Sequence, residues 1–152
     1  MGELARVEDQ LRRCHEGGAW HGPSLGELLA DVSAARASSR PVPGAHTIAE
    51  LVRHVSAWQD VVVRRLAGEV VIDLPAAQDW PPADDGGEAA WRRTRDELDA
   101  SYRRLRQAVA GLAEERLAET VPGKGYSVYV MLHGVIQHNL YHAGQIALLK
   151  KA

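Results

Sequence analysis

A single cysteine, Cys14, in 152 residues excludes an intramolecular disulfide. One histidine is its only notable neighbour, and nothing else around it marks a thiolate site, so Cys14 reads as a partly buried, inert thiol on the first helix. No run approaches the ~20 apolar residues of a membrane span. The opening MGELARVEDQLRR mixes acidic and basic residues and lacks the apolar core of a signal peptide, so a cytoplasmic protein is expected. Neither sign of charge prevails. Lys plus Arg number 18 against 20 for Asp plus Glu, the net charge is −2, and no basic block stands out. Neither nucleic acid nor a membrane is therefore an expected partner. Also missing are a GxSxG elbow, a phosphate-binding glycine loop, a CxxC pair and a carboxylate pair with clear inward placement. Strand alternation is almost absent, and there is no internal repeat or low-complexity tract.

Helix signals fill what remains. Residues 3 to 16 form a helical run that stops at Gly17-Gly18. Ser24-Leu-Gly-Glu27 has the form of a capping box, and a short helix to about Arg36 is expected behind it. SSRPVPGAH, with two prolines and a glycine, is loop. Thr47-Ile-Ala-Glu50 repeats the capping-box form and opens a second long helix, whose apolar residues from Ile48 to Leu66 keep a helical period up to a stop at Gly68. Residues 69–85 are long for a connection, with room for a short extended piece at Val70 to Ile72. Asp85-Gly-Gly-Glu88 signals a third start. Trp91, Leu98, Tyr102, Leu105, Val109 and Leu112 then step by sevens, fours and threes, with Trp91 as the first core residue. A short helical stretch near Glu114 to Leu117 and the turn VPGKGY precede the last helix, Tyr126 to Ala152. Four main helices with one or two short accessory ones predict one all-α domain over 1–152, a four-helix bundle.

The last helix carries the anomaly. At about 100° per residue, Met131, Val135, His138, His142, Gln145 and Leu149 form one stripe, so two histidines interrupt an apolar seam. Imidazoles at i and i+4 can present two ring nitrogens to one cation. A third ligand is available in His54, which shares the buried side of the second helix with Leu51, Trp58 and Val61. Bundles build metal sites from such inward side chains on facing helices. Three neutral imidazoles suit Zn²⁺ or Ni²⁺ and leave a coordination position for water or substrate. Gln145 and Tyr141 stand near enough to line the pocket or lend a polar group. Trp58 shares the face of His54, and Trp80, in the long loop, is placed to cover the open end. His46 could edge the pocket. Glu50 is assigned to its capping box before any supporting role at the metal. His133 is turned about 140° from His138 and faces another helix or solvent. His15 and His21, beside the first turn, are expected to be solvated or to cap.

Taken in order, GAHTIAELVRHVSAW, DWPP and GVIQHNLYHAGQIALLKK resemble the DinB-like superfamily, which includes the YfiT-like metal-dependent hydrolases. The resemblance spans nearly the whole chain. Its specific part is the histidine of the second long helix combined with HxxxHxxQ on the last. It implies an up-down-down-up bundle, a divalent metal held by His54, His138 and His142, and a homodimer. It also implies an activity: transfer of a low-molecular-weight thiol such as bacillithiol, mycothiol or glutathione to a small electrophile, or hydrolysis. The alternative is a non-catalytic metal-binding or stress-response module.

Overall fold

The computed structural model describes residues 2–82 and 86–152, and every described element is helical apart from an isolated antiparallel bridge between Thr120 and Ser127. The four long helices are α1 (Glu3–His15), α4 (Ile48–Leu66), α6 (Glu88–Ala110) and α7 (Val128–Leu149). Between them lie α2 (Leu25–Leu29), α3 (Ala34–Ser38), α5 (Ala76–Asp79) and a 3₁₀ turn, Glu114–Ala118. Among the described residues α4 packs along α6 and α7, and α1 packs along the same two from the other side. Thus α1 stands diagonally across from α4, and α6 across from α7, in an all-α four-helix bundle.

Local chemistry explains the boundaries. Ser24 and Thr47 both close complete capping boxes, with Glu27 and Glu50 reaching back to the cap amides. Gly68 ends α4 at φ +91, a conformation L side chains rarely adopt. Ser127 caps α7, which therefore starts two residues later than its periodicity suggests. The expected helix from 24 to 36 is in fact two. The chain turns between Leu29 and Ser33, and Ser33 caps a new start. The break frees the Val32 carbonyl to accept the indole N–H of buried Trp91 at 2.7 Å. The stretch 69–82 is not all loop, since it contains α5, and residues 70–72 pair with no strand. They lie instead against the 121–126 turn, where a Cβ on Gly123 would come within 2.6 Å of Ile72 and 2.8 Å of Val70. Gly87 is the cap of α6, while Asp85 lies outside the described residues.

Two apolar clusters fill the bundle. One joins α2 and α3 to the first half of α4 and the last turns of α7, through Leu25, Leu51, Val55, Trp91 and Ile146. The other joins α1 to the second half of α4 and the first half of α7, through Leu11, Val62, Leu105, Leu132 and Val135. Between them runs a polar waist. His54, Ser56, Gln59, Ser101, Asn139 and His142 are all buried there, and Ser101 donates to Gln59 Oε1 at 2.7 Å. Cys14 is fully rather than partly buried, and burial pushes its thiol up to about 12. His15 is not solvated either. It stacks on Tyr102 with ring centres 3.8 Å apart, and its Nε2 lies 3.0 Å from Asp99. His133 turns toward α1, its Nε2 3.7 Å from Glu3.

Candidate metal centre

The waist brings His54 on α4 against His138 and His142 on α7. His138 Nε2 is 3.0 Å from His54 Nε2 and 3.1 Å from His142 Nε2, and all three nitrogens fall within 4.8 Å of one another. In two of the three rings the other nitrogen fixes the tautomer, while His138 Nδ1 is buried with no hydrogen-bond partner among the described residues. His54 Nδ1 is 2.7 Å from the Asp79 carbonyl oxygen, which can only accept, so this nitrogen carries the proton. His142 Nδ1 likewise donates to Gln145 Oε1 at 2.6 Å. With Nδ1 as the protonated nitrogen, each ring presents Nε2 inward, toward the third ring. One proton on His138 Nε2 cannot point at both, whereas a cation among the three satisfies all of them. Nitrogens bound tetrahedrally at ~2.0–2.1 Å from Zn²⁺ stand about 3.3 Å apart, close to the two short separations. Donor chemistry, tautomers and spacing thus fit a divalent cation.

Electrostatics agree with that fit. Burial, reinforced by the neighbouring His142 and His54 rings, lowers His138 from 6.5 to about 4, and burial also lowers His142. Neutral imidazole, the form that ligates a metal, is thus favoured well below neutrality.

Aromatic rings wall the centre. Trp80 is sandwiched between His54 at 3.9 Å and His46 at 3.5 Å, nearly parallel to both. His46, a loop residue, is therefore the outer layer of a three-ring stack that covers the His54 side. Trp58 meets His54 edge-on at 6.3 Å and lies tilted to His138 at 6.1 Å, and its indole N–H donates to Asp79 Oδ1 at 2.7 Å. Tyr141 meets His142 edge-on at 5.2 Å but is 67% exposed, so it borders the centre from outside. Glu50 completes its capping box, pairs with Arg40 and lies 3.4 Å from Nδ1 of His46, the outer ring of the stack. Sequence reasoning missed Asp79, whose carbonyl orients His54 and whose carboxylate holds Trp58. Its only signal was its place beside Trp80 in DWPP.

Residues 18–146 match the model of the DinB superfamily. The chain belongs to the DinB superfamily. No curated protein matches it. Among solved structures, a conserved protein from Enterococcus faecalis superposes with a TM-score of 0.72 at 20% identity, covering 99% of this chain and 96% of that one. At that identity the likeness shows the DinB-like fold. In this member of the superfamily the three histidines form a group that could hold a metal ion.

Proposed function

We propose that this DinB-superfamily protein is a metal-dependent enzyme in which His54, His138 and His142 hold Zn²⁺ or Ni²⁺ and which acts on a thiol or a water. The observation that carries the reading is the convergence of three Nε2 atoms, two of them with their Nδ1 protons tied to Asp79 and Gln145. When bound, such a cation supplies Lewis acidity that lowers the pKa of a thiol or water reaching its open position. The chain's own groups do the rest. The Asp79 carbonyl and Gln145 Oε1 hold the rings in their ligating tautomers. The His46–Trp80–His54 stack excludes water from one side, and a cavity beside His138 admits a reactant from the other.

Transfer of a low-molecular-weight thiol to a small electrophile is the specific form of this proposal, which the family resemblance supports. The same proposal takes the protein to be cytoplasmic, where such thiols are kept reduced. We also propose a homodimer through α7, whose Val130, Tyr141 and Leu148 are exposed along one side. Sedimentation velocity should then give twice the chain mass.

Metal analysis of protein prepared without a polyhistidine tag should find about one divalent ion per chain. A His54→Ala, His142→Ala double variant that retains metal as the parent does would sink the reading. The loaded protein should consume an alkyl halide with bacillithiol, mycothiol or glutathione. Metal-dependent turnover with none of them would remove thiol transfer and leave hydrolysis.

A further inference from the structure

The cavity beside His138 contains a buried cation that, among the described residues, faces the Trp58 ring but no carboxylate. Arg65, on the last turn of α4, is 4% exposed. Its Nε and Nη2 donate to the Val71 carbonyl at 2.9 and 2.6 Å, Nη2 also donates to the Ile72 carbonyl at 3.1 Å, and Nη1 donates to the Tyr126 hydroxyl at 3.1 Å. Every one of these acceptors is uncharged. Among the described residues no carboxylate lies within 4.0 Å of the guanidinium. Buried charges are ordinarily paired, because an uncompensated one forfeits its hydration.

Two donors at this spot are left over. The carbonyls occupy Nε and Nη2, so Nη1 keeps an N–H beyond the one given to Tyr126. Tyr126 accepts from Arg65 and keeps its own proton to donate. Both groups line a cavity of about 290 Å³, near the lower end for small-molecule sites, with Val62, Met131 and Val135 among its apolar walls. Trp58 also lines it. The guanidinium carbon lies 5.8 Å from the Trp58 ring centre, and His138 lies 6.1 Å from the same ring. A charged end and a histidine end thus belong to one cavity, separated by a single indole.

We propose that this cavity binds a small organic carboxylate with an apolar body. The carboxylate accepts from Arg65 Nη1 and Tyr126 Oη, the body lies on Trp58, and the opposite end faces His138. The assignment of that end as the reacting one rests on the three-histidine reading, whereas carboxylate binding does not. A guanidinium that merely staples residues 71–72 to α4 would need no cavity and would not tell an acid from its amide.

The probes are phenylacetate and the isosteric, uncharged phenylacetamide, titrated calorimetrically into the full chain with and without zinc. Phenylacetate should bind, and phenylacetamide about tenfold or more weakly, the difference expected for charge-assisted hydrogen bonds. Arg65→Gln should erase the preference. Because that change could unfold the protein, a second variant acts from the other wall. Gly134 lines the cavity, and a Cβ there would meet nothing within 4 Å, so Gly134→Phe can occupy the space while leaving Arg65 and the histidines untouched. It should abolish phenylacetate binding and retain zinc. Equal affinity for acid and amide, no binding of the acid, or acid binding unmoved by Gly134→Phe would each overturn the proposal. Loss of zinc binding by the parent with phenylacetate binding intact would instead refute the metal reading alone.

Discussion

His138 sits where its surroundings oppose a proton, with burial acting first and two neighbouring imidazoles adding to it. An NMR titration of the metal-free protein should place its midpoint at about 4, and a midpoint at or above 6.5 would contradict the packing described. The linked effect on stability has a definite sign. Because the folded value is depressed, the unfolded chain takes up the proton first as pH falls, so the contribution is full above 6.5 and is lost on the way down to about 4. At this scale the histidines were legible in the sequence because α7 and α4 are regular, and a 100° step puts His138, His142 and His54 on inward faces. Asp79 and Arg65 were not. Their roles depend on where the segment after α4 returns, and no periodicity encodes that path.

Among the elements, α4 positions the most, because it carries His54, Trp58 one turn on and Arg65 two turns further. Its start depends on Thr47, which is 5% exposed and accepts the Glu50 amide at 3.1 Å. Thr47→Ala should destabilise the protein by about 1 kcal/mol in urea unfolding. No change in midpoint would mean that tertiary packing alone fixes the helix start. The capping boxes and the Gly68 stop were readable because each uses a side chain or glycine that the backbone requires. The break at residues 30–33 and the helix α5 were hidden for a common reason. Elements of four or five residues contain too few apolar positions to show a period, and Ser33 resembles any other loop serine until Trp91 claims the carbonyl beside it.

For the molecule as a whole, the waist divides two apolar clusters that would otherwise be continuous. A ligand filling it ties α4 to α7 at mid-height, and binding to the folded state alone raises stability by mass action. Zinc at a hundred times its dissociation constant should add about 2.7 kcal/mol, or roughly 5–10 °C in melting temperature for a chain of this length. The increment should vanish in His54→Ala. An equal rise in that variant would assign the effect to sites elsewhere on the surface. Fold class was readable at this scale, since four long amphipathic stretches joined by breaker-rich segments have few other ways to bury their faces. The stack of Trp80 between His46 and His54 was not, because it joins residues from three separate segments.

Cys14 has a consequence for bench work. Its sulfur is buried between α1 and α7, 4.0 Å from the Ile136 carbonyl, and burial raises the thiol, so at neutral pH the folded chain offers alkylating agents no accessible cysteine thiolate. While the chain stays folded, Cys14 should therefore resist air oxidation and reactive halides at neutral pH. A cysteine-type thioether formed in its presence then reports an added thiol rather than Cys14.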